Sequence, residues 1–324
     1  MPSGPVLGLL VVLGIFMLLV GFRGGLGTFL SLGNIQVLVH DNTIVAIAAL
    51  GALLVIISGG IDLSVGSVVA LVMVVTMQVY RLAFARSGSM AAASALAVPA
   101  GIGVSALCGF MNGLIITLLR VPPFVTTLGM LSVARGAAIW IAGRMVLSFP
   151  SGARPGWVAA LAQTDAGTLV FYPGFWLLLL LAALTALLLH RTVLGRHSYA
   201  IGSNEATARL CGVAIERNKV IVYTLAGLFT GVAGVLSFAH AGTGDPNGNL
   251  GLELDVIAAV VIGGASLSGG QGAVMGTLLG VLILGILENG VSAFSVPVEI
   301  KRILIGVIII ANTALSQWQR RKSA

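Results

Sequence analysis

Apolar residues run through this chain in long blocks, and polar residues gather in the short gaps between them. A helix needs about 20 apolar residues to cross a bilayer, with a range of roughly 17–25. The pattern predicts ten spans: 7–22, 43–58, 65–80, 91–119, 124–142, 174–189, 220–241, 255–267, 273–289 and 303–315. Several are short, so either their flanks extend them or they are broken, partly re-entrant helices. Pro99 and Gly101 fall inside the longest block and predict a kink or an irregular start there. No stretch reads as a separate soluble domain, and the pattern predicts one all-α integral membrane domain over residues 1–324. The longest gaps are 143–173, expected outside as a loop with a short interfacial helix, and 190–219.

Composition agrees with the pattern. Hydrophobic residues make up 58% of the chain and charged residues 8%, against about 25% charged in a soluble domain. So few charges cannot cover a water-soluble fold, but lipid tails can cover apolar side chains. The 44 glycines suit membrane helices that pack backbone to backbone.

The net charge is +7, and its placement carries the information. Arg191, Arg196, Arg209, Arg217 and Lys219 sit in one gap, and Arg320, Arg321 and Lys322 sit in the tail. Both segments belong on the cytoplasmic side. Four predicted spans separate them and six precede the first, so the N-terminus is expected inside as well. Arg23, Arg81, Arg86, Arg144, Arg154, Lys301 and Arg302 then fall near the outer face. The basic residues do not interleave with aromatics, so no nucleic-acid partner is expected. No Lys or Arg precedes residue 7, so 7–22 reads as a retained helix rather than a signal peptide. Cys108 and Cys211 read as small buried residues, with neither a zinc site nor a disulfide expected.

The segment Ser58-Gly59-Gly60-Ile61-Asp62-Leu63-Ser64-Val65-Gly66-Ser67 draws most attention. The double glycine breaks one helix, and Asp62 or Ser64 caps the next. One reading ends there. The other is a discontinuous helix lining a polar path, where an intramembrane carboxylate has a use. Arg135 lies deep in 124–142 and must snorkel, pair or face water, with Asp62 as a conceivable partner. Ser203-Asn204-Glu205 predicts a helix start and Gly212 a stop, with Glu205 and Arg209 at favourable i, i+4 spacing. This reads as a solvated loop helix or as a docking helix for a cytoplasmic partner. His240, Asp245, Asn247 and Asn249 read as part of an outer polar turn rather than a calcium loop. Ser58-Gly59-Gly60 has a faint echo in Ser268-Gly269-Gly270. The lysines, Lys219, Lys301 and Lys322, do not follow glycine, which excludes a P-loop. No catalytic cluster, cofactor site or metal site is expected.

The Gly59–Ser67 segment resembles the permeases of bacterial ABC importers for ribose, xylose, galactose and related solutes, within the branched-chain-amino-acid-permease-like superfamily. Three further stretches share the resemblance, in the same order. They are Val121-Pro122-Pro123-Phe124-Val125-Thr126-Thr127-Leu128-Gly129-Met130 with Arg135-Gly136, the segment 195–213, and 254–264 continuing through Ser268-Gly269-Gly270. Together they cover about residues 42–310. The resemblance implies a polytopic permease that pairs with a second copy or a paralogue in the bacterial inner membrane. It implies docking to a cytoplasmic ABC ATPase, delivery of solute by a periplasmic solute-binding protein, and no catalysis on this chain. The candidate pathway residues are Gly59, Gly60, Asp62, Ser64, Ser67, Thr126, Thr127 and Arg135; the resemblance carries over the 59–67 stretch, and Arg135 reads first as a structural ion pair or interhelical hydrogen bond rather than a substrate ligand. The implied ATPase-coupling residues are Gly195, Gly202, Asn204, Glu205, Ala206, Arg209 and Gly212. The rivals are an ion-coupled secondary carrier using Asp62 and Glu288, a membrane enzyme or scaffold, and an ABC permease for an amino acid, a nucleoside or an autoinducer.

Overall fold

Helix ends fall where the sequence supplies start and stop chemistry. A computed structural model describes residues 3–22, 24–163, 171–294, 303 and 306. In chain order it contains α1 (Ser3–Phe22), α2 (Leu26–Phe29), α3 (Leu32–Ile57), α4 (Val65–Ser87), α5 (Met90–Leu118) and α6 (Pro123–Ile141). Then come β1 (Leu147–Ser148), α7 (Gly156–Ala162), α8 (Pro173–Arg191), α9 (Val193–Ser203) and α10 (Glu205–Leu210). The series closes with α11 (Ile215–Ala241), β2 (Thr243–Gly244), α12 (Leu252–Ile262) and α13 (Val274–Ala293). Ser31 and Ser89 accept the N–H groups of Asn34 and Ala92 and so cap α3 and α5. Pro123 and Pro173 open α6 and α8. Gly88 and Gly242, both at φ 65°, end α4 and α11 in the left-handed conformation.

Among the described residues, eight helices are long and apolar enough to cross a membrane: α1, α3, α4, α5, α6, α8, α11 and α13. They match eight of the ten expected spans. At 255–267 the structure has only α12, an 11-residue helix, about 16 Å long and roughly half a bilayer core. Of 303–315 only residues 303 and 306 are described, and the basic tail, Arg23, Lys301 and Arg302 lie outside the described residues. α5 runs through Pro99 without interruption.

α3 begins at Leu32, well before the expected 43. The polar residues at 34–42 hid this stretch, and the structure shows where their polarity goes. Asn34 and Asn289 exchange side-chain amide hydrogen bonds of 3.0 and 2.9 Å between α3 and α13. Asn42 donates to the Leu38 carbonyl at 2.8 Å. His40 stacks on His240 of α11, ring centroids 3.8 Å apart. The Asn34–Asn289 pair, satisfied between helices, is compatible with a membrane interior.

α3 is the central helix, with every residue from Ala46 to Ile57 buried. α5 and α11 pack closely because glycines line their contact. A Cβ at Gly109 or Gly113 of α5 would meet the backbone of Tyr223 or Val220, and Ser105 donates to the Gly227 carbonyl at 2.6 Å. Exposed Phe124, Val125, Leu128, Val133 and Trp140 make the free face of α6 apolar, as lipid contact requires.

Contacts also fix helix directions. α13 runs antiparallel to α3, since Asn289 meets Asn34 while Gly272 packs beside Ile57. Pro5 lies beside Gly264, in the turn that reaches Gly202 through Gly269 and Gly270. The start of α1 and the α9–α10 segment therefore share one end of the bundle, as the charge pattern predicts. At the other end α7 forms the expected short helix. Trp157 donates to Ser94 at 2.9 Å, Tyr80 donates to the Ala153 carbonyl at 2.6 Å, and β1 pairs antiparallel with β2.

Candidate translocation site

Two irregular segments carry buried polar chemistry, one joining the spans α3 and α4 and one breaking the stretch from Thr243 to Ile262. The first is the segment between α3 and α4. Gly59 takes φ +81°, which favours glycine. Asp62 folds back so that one carboxylate oxygen accepts both the Ser64 N–H at 2.8 Å and the Ser64 hydroxyl at 2.6 Å. Ser64 is the N-cap residue of α4, yet its side chain makes no capping bond. The expected cap is thus replaced by a local Asp62–Ser64 turn. Asn112 of α5 donates to the Ser64 hydroxyl at 3.3 Å, and Thr127 of α6 donates to the Ile61 carbonyl at 3.2 Å. Gly60 faces the Tyr223 hydroxyl, where a Cβ has no room. Asp62, Ser64, Ser67, Thr126 and Thr127 are buried, and Gly59 is exposed.

The second interruption runs from Thr243 to Ile262. The expected outer polar turn folds inward instead of lying on the outer face. Gly244 packs against Met73 and Met77 of α4, and Asn249 donates to Ser237 at 2.9 Å. Farther along, Glu253 and the Asn249 carbonyl abut Gly66 in the first turn of α4. This stretch is therefore irregular in its first half and helical (α12) in its second. Irregular backbone at membrane depth is tolerated where protein or a watery cavity surrounds it, and transporters place their sites there.

Arg135 serves the second break, not Asp62. Its guanidinium donates to the carbonyls of Pro246 at 2.8 Å and Gly248 at 2.9 Å. These bonds satisfy backbone groups that no helix satisfies. Arg135→Ala is expected to leave both carbonyls without their partner and to cost about 1–3 kcal/mol. A lower thermal midpoint in detergent checks it, with Arg135→Lys in between because both bonds come from one Nη1 atom, a donor that the ammonium on its more flexible stem replaces only in part.

Sequence reading missed Asn112, Tyr223 and Glu253. The Asn112 Oδ1, Tyr223 hydroxyl and Glu253 Oε2 atoms are buried without a hydrogen-bond partner among the described residues. Asn112 and Tyr223 lie inside apolar blocks without local punctuation. The signal available for them was a polar residue facing the span interior.

The inner-end segment follows the sequence closely. Asn204 caps α10 by accepting the Thr207 N–H at 2.9 Å, and Gly212 at φ +80° follows its end. Glu205 lies 3.9 Å from Arg209 and 2.6 Å from Lys219, and Arg209 lies 2.7 Å from Glu216. Glu205, Arg209 and Glu216 are about half exposed, so these pairs shape the surface more than they stabilise it. Ala206, Leu210 and Cys211 are exposed. Cys211 thus departs from the expected burial, because only Ala208 of this short helix faces inward. Gly195 packs against the carbonyls of Leu188 and Leu189. Gly202 packs against the Ile57 carbonyl and the Gly270 amide. Burial raises the ionisation range of the Tyr199 phenol, which keeps it a donor to the Gly272 carbonyl at 2.8 Å. The two Ser-Gly-Gly segments, distant in sequence, meet here, and the Gly270 N–H donates to the Ile57 carbonyl at 2.9 Å.

Several known proteins resemble the chain along nearly its whole length. It is 34% identical to the fructose import permease protein FrcC of Rhizobium meliloti, over 99% of this chain and 88% of that protein. It is 38% identical to the ribose import permease protein RbsC of Escherichia coli K12, over 87% and 85% respectively. The Bacillus subtilis ribose import permease protein RbsC is 36% identical, over 99% and 93%. No solved structure matches. Residues 34–313, which include both irregular segments and the α9–α10 segment, match one family. This multi-pass membrane protein therefore belongs to the family described as branched-chain amino acid transport system / permease component.

Proposed function

We propose that the chain is the membrane-spanning subunit of an ABC importer that moves a sugar-like solute from periplasm to cytoplasm across a bacterial inner membrane. As a transport permease it is not itself catalytic. ATP is hydrolysed by a cytoplasmic ATPase, solute arrives on a periplasmic binding protein, and two permease chains enclose the pathway. Preferential binding of the ATP-loaded or empty ATPase to one permease state shifts the chain between outward- and inward-open forms. The observation that carries the reading is the near-full-length similarity to permeases named for ribose and fructose import. The exposed α10, capped and stopped as a separate short helix, supports the docking half of it. An ion-coupled carrier finds no support in these relatives.

Co-purification in detergent with a cognate ABC ATPase tests the reading. Wild type is expected to retain the ATPase. Glu205→Lys places a cation beside Arg209 and Lys219, and is expected to lower the recovered ATPase about tenfold or more. Gly212→Trp, at a left-handed φ on an exposed turn, is expected to do the same. Equal recovery from all three keeps the importer and removes these docking residues. No ATPase with wild type, together with uptake driven by an ion gradient alone, removes the importer.

A further inference from the structure

We propose that α9 is a fulcrum that carries motion of the docking segment to the α3–α4 junction and to the turn between α12 and α13 at once. Gly202 and Gly269 form its bearing and Tyr199 its strut. This rests on the importer reading and specifies how that machine is coupled. Three backbone segments meet at the bearing with no side chains between them. A Cβ on Gly202 would overlap the Ile57 carbonyl and the Gly270 amide. A Cβ on Gly269 would lie 2.7 Å from the Gly202 carbonyl oxygen and 2.9 Å from the Gly59 Cα. The Gly270 N–H to Ile57 carbonyl bond ties the end of α3 to the turn between α12 and α13, and the Tyr199 hydroxyl bond to Gly272 ties that turn to α9.

The consequence is mechanical. Asn204 ends α9 and caps α10, so a tilt of α10 moves Gly202 directly. Close-packed backbones do not compress, so the displacement passes on rather than dissipating. On one side it reaches the end of α3 and the Asp62–Ser64 turn at the base of α4. On the other it reaches the turn between α12 and α13. Gly59, Gly269 and Gly270 all hold positive φ, at 81°, 86° and 72°, and such positions absorb backbone rotation at hinges. A single docking movement thereby reaches α4, which carries Gly66, and α12, which carries Glu253, the two elements that meet at that contact.

The test uses the assembled complex in proteoliposomes, with ATPase partner, sugar-loaded binding protein and labelled ribose or fructose as probe. Uptake per ATP hydrolysed is the readout. Gly269→Ala is expected to lower it about tenfold. Tyr199→Phe removes one hydroxyl without adding bulk and is expected to lower it by about two- to tenfold, with the thermal midpoint near wild type. Both variants are expected to retain the ATPase. Wild-type uptake per ATP in both variants overturns the fulcrum. So does a loss that merely follows the amount of folded protein or the rate of ATP hydrolysis. Failure of the wild type to recruit any ATPase is a distinct outcome, and it overturns the importer reading together with the fulcrum.

Discussion

Gly66→Ala is expected to reduce uptake at least tenfold and to lower the thermal midpoint. Gly66 lies in the first turn of α4, where the second irregular segment crosses it. A Cβ there would run into the Glu253 carboxylate and the Asn249 carbonyl. The carboxylate ends a flexible side chain and can swing away. The carbonyl is backbone, in a residue already at φ 58°, and can yield only by moving the 243–251 segment off α4. Overpacking of this kind costs about 1–3 kcal/mol. The displaced segment also carries the Pro246 and Gly248 carbonyls that Arg135 holds, so the disturbance spreads to α6. Adding Glu253→Ala relieves one clash of two and is expected to restore uptake only in part. Gly103→Ala is the control, since nothing lies within 4 Å of a Cβ at that position of α5. In a helix it is expected to be neutral or to stabilise by about 0.5–1 kcal/mol. Wild-type uptake by Gly66→Ala would show that this junction has slack and is not part of the moving pathway.

How much of this was legible in the sequence depends on what marks each element. Helices bounded by Ser, Pro or Gly were readable because their punctuation is local: Pro123, Pro173 and Gly88 act on the backbone at their own positions. The α10 helix was readable for the same reason, through Asn204 and Gly212. Residues 32–42 were not, because Asn34 pairs with Asn289, 255 positions away, and no local pattern records a partner at that distance. α12 was expected as a span because its apolar run continues to Leu267. The helix stops at Ile262 because Gly263 packs against Gly276 of α13 and Gly264 turns at φ +90°. Asp62 was singled out correctly as a buried carboxylate. Its proposed tie to Arg135 was not found, because the Thr243–Gly251 segment folds inward and takes the arginine. The meeting of Ser58-Gly59-Gly60 with Ser268-Gly269-Gly270 was visible only as an echo, since tertiary packing brings the two together.

Asp62→Asn is expected to keep the fold and lose about tenfold or more in uptake, whereas Asp62→Ala is expected to lose both. The Asp62 oxygen that accepts the Ser64 N–H and hydroxyl builds the turn. Asparagine offers an equivalent acceptor oxygen, so the turn does not require the charge. Alanine offers none and leaves a buried N–H unpaired, at about 1–3 kcal/mol. None of the ion pairs among the described residues includes Asp62. A buried carboxyl group without a cationic partner is costly when charged, and an amide of the same shape would build the turn more cheaply. The carboxyl group is therefore expected to act on something that passes, and solute hydroxyls, which hydrogen-bond to carboxyl oxygens, fit that role. The measurement pairs thermal unfolding with sugar uptake by the assembled importer for all three side chains. Asn with wild-type stability and sharply reduced uptake assigns Asp62 to the pathway. Asn that matches wild type in both limits the residue to shaping the start of α4.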